Sequence, residues 1–162
     1  MSETPLSERL EQWLRAEGVA FEILEHAAAF TSEEAARVRG TRLRQGAKAL
    51  VVRAEDRFVH CVLPADLKAD NAALRAILGT RKLRFATREE LVRLTGCEPG
   101  AVPPFGNLFG LPVFVDEALC DNDRIVFNVG SHARSITMRP ADLVRVAEAT
   151  VCRFATASQA PA

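Results

Sequence analysis

Two apolar runs, Ala47 to Arg53 and Arg57 to Leu63, stand three residues apart, and they constrain the fold of this chain more than any other feature. Each is too short for a stable helix, and the connector Ala54-Glu55-Asp56 is polar, so an antiparallel hairpin is predicted. Leu50, Val51 and Val52 make its first strand a buried one. A hairpin of this kind needs cover, and the flanking sequence supplies helices. Leu6, Leu10, Trp13 and Leu14 share one helical stripe between Pro5 and Gly18. Val19, Phe21 and Ile23 then alternate as in a half-buried strand, and Thr31-Ser32-Glu33-Glu34 reads as a capping box for a short helix that Gly40 closes.

Downstream the punctuation repeats. Asn71 to Leu78 reads as a helix ended by Gly79, Leu83 to Phe85 as a strand, and Thr87-Arg88-Glu89-Glu90 as a second capping box before a helix stopped by Gly96. Val113 to Val115, Arg124 to Phe127 and Ser135 to Met138 resemble strands, and Pro140 suits the first turn of a helix through Ala147. Strand runs in close pairs between helices predict an α+β fold: one domain with a mixed, strongly curved, barrel-like sheet surrounded by helices, rather than a doubly wound parallel sheet. With 162 residues, 48% of them hydrophobic, the chain can bury one core. The domain is expected over residues 1–155, and the small, polar tail at 156–162 is expected to be disordered.

Composition excludes several classes. Cys61, Cys97, Cys120 and Cys152 are scattered, with no C-x-x-C and no histidine partner at metal-ligand spacing, so neither a metal site nor a redox pair is expected, and no cofactor is called for. Glu3, Glu8, Arg9 and Glu11 interrupt the N-terminal apolar residues, unlike a signal peptide, and no run is long enough to span a bilayer; a cytoplasmic protein with no membrane partner is the expectation. Net charge is zero, which argues against tight nucleic-acid binding and against a DNA-binding protein. The charge is nevertheless uneven. Arg37, Arg39, Arg42, Arg44, Lys48 and Arg53 form one basic run, Arg75, Arg81, Lys82, Arg84 and Arg88 another, and Leu94 to Asp123 has acids without a base. Solvated helix faces explain such runs, and so does a surface that meets phosphates weakly.

Three segments carry possible chemistry. Lys48 is a cation inside an apolar strand, where its ammonium must reach water or an anion; it is either a snorkelling edge lysine or a rigidly held group for a phosphate or a polarised carbonyl. The loop before it lacks the first glycine and the Ser or Thr of a P-loop. Gly100-Ala101-Val102-Pro103-Pro104-Phe105-Gly106 is a preshaped loop whose amides suit an oxyanion, within an irregular stretch from Cys97 to Pro112. Phe127-Asn128-Val129-Gly130-Ser131-His132 ends a strand in a glycine turn bearing a histidine. No G-x-S-x-G and no H-E-x-x-H is present.

Taken together, Lys48 in its strand, the G-x-x-x-P element Gly100 to Pro104 with Phe105-Gly106, Val113-Phe114-Val115-Asp116, the Phe127 to Ser131 turn and Ser135-Ile136-Thr137-Met138 before Pro140 and Asp142 resemble the YbaK/EbsC family and the editing domain inserted in bacterial prolyl-tRNA synthetases. The resemblance runs from the first helix to Leu143. It implies a metal-independent, cofactor-free trans-editing deacylase that hydrolyses the ester of a mischarged tRNA, commonly tRNA-Pro carrying a small wrong amino acid. It implies Lys48 as the catalytic residue, and Gly100, Pro104, Phe105, Gly106, Asn128, Gly130, Ser131 and His132 as substrate-binding. The family's attacking water is thought to be helped by a ribose hydroxyl of the substrate. Balanced charge adds the expectation of weak, salt-sensitive binding to mischarged tRNA, with prolyl-tRNA synthetase or another tRNA-binding protein supplying affinity. The rival readings are a non-catalytic module for the aminoacylated acceptor end and a small-molecule esterase.

Overall fold

The predicted hairpin forms and lies at the centre of the larger sheet. The computed structural model of the chain describes residues 5–157. In chain order its elements are α1 (Leu6–Ala16), β1 (Phe21–Glu25), α2 (Ser32–Arg39), β2 (Ala47–Ala54), β3 (Arg57–Pro64), β4 (Leu67–Ala69), α3 (Asn71–Leu78), β5 (Leu83–Phe85), α4 (Arg88–Thr95), β6 (Val113–Asp116), β7 (Ile125–Asn128), β8 (Arg134–Met138), α5 (Pro140–Val146), β9 (Thr150–Cys152) and β10 (Ala155–Ala157), with short 3-10 turns at Leu43–Gln45, Gly106–Phe109 and Glu117–Asp121.

The strands make a five-stranded mixed sheet in the order β5-β2-β3-β6-β9, a three-stranded antiparallel sheet β1-β8-β7 and a two-stranded ribbon β10-β4. The mixed character is as predicted, but the curved barrel is not found: the described strands form no closed or strongly curled sheet. The reason lies in β2. One of its edges pairs with β3 along its whole length. The other pairs with β5 at Val52 to Ala54, and near its start a single parallel bridge joins Gly46 to Val126 of β7. Between these points the second edge of β2 stays open, and the two larger sheets diverge instead of closing.

Local chemistry accounts for the helices. Thr87 and Glu90 complete a reciprocal capping box at α4, whereas Thr31 makes the forward half, accepting from the Glu34 amide at 3.1 Å. Gly40, Gly79 and Gly96 end α2, α3 and α4 in the left-handed conformation that glycine adopts at least cost. The short β4, β9 and β10 were not anticipated. Their sequences carry no alternating pattern, and tertiary pairing makes them strands. Buried Asp116 helps, since its carboxylate accepts from the amides of Ala118, Phe154 and Ala155 and so fixes the turn between β9 and β10. Thr156 and Ala157 therefore lie in a strand, not in a disordered tail; residues 158–162 lie outside the described residues. No helix among the described residues is long and apolar enough to cross a membrane.

Leu10 and Leu14 bring the α1 stripe onto one core with Phe105, Phe127, Ile136, Met138 and Leu143. Phe105 sits edge-on to both Trp13 and Phe127, each with ring centroids 5.3 Å apart. A second core gathers Val52, Val59, Leu63, Leu74, Leu78 and Phe154. His60 of β3 is fully buried, and neither ring nitrogen has a hydrogen-bond partner among the described residues. It presses against Gly106, where an added Cβ would stand 2.6 Å from the His60 ring.

Burial lowers the His60 pKa from 6.5 to about 4, so below pH 6.5 the unfolded chain takes up a proton that the folded chain refuses. Stability is expected to be level above pH 6.5 and to fall by roughly 3 kcal/mol towards pH 4, the product of that shift and about 1.36 kcal/mol per pH unit. Urea unfolding at stepped pH, with the native chain and His60→Leu, checks this. The variant should lose much less over that window, and an equal loss would assign the acid sensitivity to other groups.

Candidate active site

Where β2 leaves its edge open, the space beside it is a cavity of about 220 Å³. Gly46, Ala47, Lys48, Ala49 and Leu50 form one wall, the inner face of α2 and the segment before it form another, and Gly100, Val102, Asn128 and His132 close the third. Lys48 is half-buried there. Burial lowers its pKa, while the charges of Asp66 and Glu33 act in the opposite direction. Lys48 thus lies on a strand whose edge is free where the cavity occupies the place of a neighbouring strand.

A second cation, Arg39, completes the electrostatics. It lies one turn after buried Ala35 on the inner face of α2 and lines the same cavity. Its Nε donates to Ser135 Oγ at 2.9 Å and its Nη2 to Asn128 Oδ1 at 2.8 Å. Both partners are neutral, and Arg39 takes part in no salt bridge among the described residues. Burial accordingly lowers its pKa to about 10, which leaves it charged at neutral pH. Ser135 Oγ also meets His26 Nε2 at 2.8 Å, and His26 Nδ1 faces the Ala27 carbonyl at 2.9 Å. The hydroxyl of Thr41, another lining residue, is buried without a partner among the described residues.

The network reaches the glycine loop through Asn128, whose Nδ2 donates to the Gly100 carbonyl at 2.7 Å. Beside it His132 Nε2 donates to the Pro99 carbonyl at 3.0 Å, and the Gly130 amide to the Ala101 carbonyl at 2.7 Å. Three successive carbonyls are thus held from the Asn128 to His132 turn. Gly100 itself has φ +84, the left-handed conformation that glycine adopts at least cost, and His132 Nε2 lies at ordinary contact distance from where a Cβ would stand. Among the described residues the Gly100 and Val102 amides donate to no acceptor.

Of the residues anticipated as site residues, Lys48, Gly100, Asn128 and His132 therefore meet at one cavity. Five others lie elsewhere. Phe105 is wholly buried in the aromatic core, Pro104 is buried beside it in sequence, and Gly106 is packed on His60. Gly130, at φ +85, lets the turn lie against Leu6, and Ser131 Oγ accepts from the Ala133 amide within the turn. The loop thus meets the cavity at its beginning, and its later residues anchor it to the core. Arg39 was not singled out in the sequence, where it is one of several arginines; its i, i+4 relation to Ala35 on a helix with an apolar inner face was the available signal.

This arrangement has a protein class. Residues 26–146 match the aminoacyl-tRNA editing domain, and the chain belongs to that family. It is 35% identical over 152 residues, 91% of each chain, to the Multifunctional Ser/Thr-tRNA deacylase ProXp-y of Escherichia coli K12. It is 30% identical over 89 residues, 55% of this chain and 16% of the relative, to the proline–tRNA ligase of Bacillus licheniformis. Among solved structures, a candidate trans-editing enzyme for prolyl tRNA synthetase superposes with a TM-score of 0.85 and 27% identity, covering 96% of this chain and 99% of the other.

If Asn128 is the clamp on the loop, Asn128→Ala should loosen it locally. Hydrogen exchange is expected to quicken by about tenfold or more at the hydrogen-bonded amides of Ala101 and Gly130, with the α3 amides unchanged. Unchanged protection at both amides would show that the loop stands without it.

Proposed function

We propose that this chain hydrolyses the ester that joins a wrong amino acid to the 3′ end of a tRNA, acting on substrate made elsewhere. The observation that carries the reading is the meeting of Lys48, Arg39, Gly100 and Val102 on one small cavity, with the Gly100 and Val102 amides donating to no acceptor among the described residues, in a chain of the editing-domain family. Hydrolysis of an ester passes through a tetrahedral intermediate with a developing oxyanion. Fixed amide donors and nearby cations stabilise that charge more than they stabilise the neutral carbonyl, which is what lowers a barrier. The Gly100 and Val102 amides would face the oxyanion, Lys48 would hold the phosphate or ester region of the terminal adenosine, and Arg39 would keep the chamber cationic while fixing Asn128.

No carboxylate lines the cavity among the described residues, so no side chain of the usual carboxylate type is placed to activate water. Help from a ribose hydroxyl of the substrate fits that wall, with orientation as the main device. A cavity of about 220 Å³ suits a small amino acid. The Escherichia coli relative is named for Ser/Thr-tRNA, and serine or threonine is the reading adopted here, with tRNA-Pro as the carrier. One methylene is worth about 1–3 kcal/mol in such a pocket, so alanine and cysteine are the competitors to test. Binding to tRNA is proposed to be weak and salt-sensitive, with a prolyl-tRNA synthetase as the partner that supplies affinity, and the site of action to be the cytoplasm.

Release of labelled amino acid from seryl-, threonyl-, alanyl- and cysteinyl-tRNA-Pro tests this. The native chain should clear seryl- or threonyl-tRNA fastest, and Lys48→Ala should lose about a hundredfold or more, the scale of removing one group that stabilises a transition-state charge. If tRNA binds but no ester is cleaved faster than in buffer, the chain is a non-catalytic acceptor-end module.

A further inference from the structure

Phe30 is 72% exposed, more than Ile77, Phe85, Leu108 or Val151, the other large apolar side chains that reach solvent. Phenylalanine is ordinarily buried, so a single ring left out at a cavity wall is informative where isolated surface apolar residues are not. The ring is not loose. Its centroid lies 4.7 Å from that of His132 with the planes 36° apart, so one face is backed by the imidazole. His132 is in turn held through Nε2 to Pro99. The segment carrying Phe30 is stapled to the same turn, since the Ala29 amide donates to the His132 carbonyl at 3.0 Å and the His26 amide to the Ala133 carbonyl at 3.1 Å. Thr31, the next residue, caps α2. Phe30 and His132 are the two aromatic rings in the wall of the cavity.

Phe30 reaches solvent from this wall, whereas of the two groups that would handle the ester Lys48 is half-buried and Gly100 is exposed beside His132. A substrate whose ester lies between those groups must leave the cavity through its nucleoside. We infer that Phe30, backed by His132, is a stacking platform for the terminal nucleobase of the tRNA. The inference rests on the deacylase reading and adds a subsite to it. A flat purine offers the π-face that an exposed, oriented ring can use, without hydrogen-bond readout of the base. Arg42 lines the same cavity and is a cation available to the phosphate on the 5′ side of such a base.

The test uses an uncharged acceptor-stem minihelix with 2-aminopurine as its 3′-terminal base, whose fluorescence is quenched on stacking. Titration with the native chain should quench it, and Phe30→Tyr should do the same. Phe30→Ala should abolish most of the quenching and weaken binding about tenfold or more, the scale of one base–aromatic stack, with no loss of thermal stability from so exposed a position. On charged tRNA the same variant should raise KM more than it lowers kcat. Binding without quenching, equal quenching by Phe30→Ala, or no binding of the minihelix overturns the platform. Loss of deacylation is scored separately: quenching without ester cleavage by the native chain would refute the deacylase and leave the platform standing, and cleavage without quenching would do the reverse.

Discussion

The open edge of β2 is the constraint on which the rest of the structure depends. From Ala47 to Val51 the strand has β3 on one side, and on the other the Ala86 amide takes the Val51 carbonyl near its far end. A strand edge inside a domain normally has to be paired, covered or charged, because its amides and carbonyls need partners. Here Gly46 bridges to β7 and β5 closes the far end, so the gap is bounded on both sides. A continuous ladder would have filled the space beside Lys48 with another strand. The same feature that keeps the sheets from closing into a barrel therefore creates the chamber and places a cation in it on a rigid element.

Arg39 shows how such a chamber is made at tolerable cost. A buried guanidinium without a carboxylate is expensive, since its charge has left water for neutral partners. Two well-aligned hydrogen bonds, to Ser135 and Asn128, satisfy part of its fork and fix its direction. A carboxylate would stabilise it better and would cancel the field that an anionic intermediate needs. Among the described residues no acid lines the cavity wall, although the charges of Asp66 and Glu33 reach Lys48; on the proposed reading the Arg39 charge is thereby left for an anionic group of the substrate. Asn128 then couples that cation to the loop geometry, for the amide that accepts from Arg39 also holds the Gly100 carbonyl. Electrostatics and backbone placement are set by one side chain.

The helices and the hairpin were legible in the sequence because their signals are local: capping residues, terminal glycines and apolar periodicity act within a few residues of where they are read. Asn71–Leu78 and Leu83–Phe85 match the expected bounds for that reason. The sheet's closure was not legible, because it depends on whether β7 continues beside β2 after Gly46, a choice made between residues about 80 positions apart, as Gly46 and Val126 are. The site divides in the same way. Lys48 stood out as a charge within an apolar strand, and Gly100 as a glycine in a preshaped loop. Phe105 and Gly106 belonged to the same motif, yet their tasks are to fill the aromatic core and to make room for His60. A motif records which residues must occur together and leaves open which of them face the ligand. Arg39 and Phe30 were hidden for the opposite reason, being ordinary residues made special by the Asn128 and Ser135 that meet the first and the His132 that meets the second.

The charge balance also changes meaning once it is placed in three dimensions. Of the five cations in the second basic run, two are paired among the described residues: Arg84 with Glu90 and Arg88 with Glu98. Elsewhere Arg134 is taken by Glu11 and Glu25, Arg145 by Asp142 and Arg153 by Glu117. Among the described residues Arg37, Arg39, Arg42 and Arg44 form no salt bridge, and two of them, Arg39 and Arg42, line the cavity. A net charge of zero is thus compatible with a local excess of positive charge at the one place where a phosphate-bearing end would approach. Such a distribution favours a short stretch of nucleic acid beside the cavity over an extended duplex, since few phosphates can be neutralised at once. On the proposed reading this local charge would orient an acceptor end, and a larger tRNA-binding partner would supply the rest of the affinity.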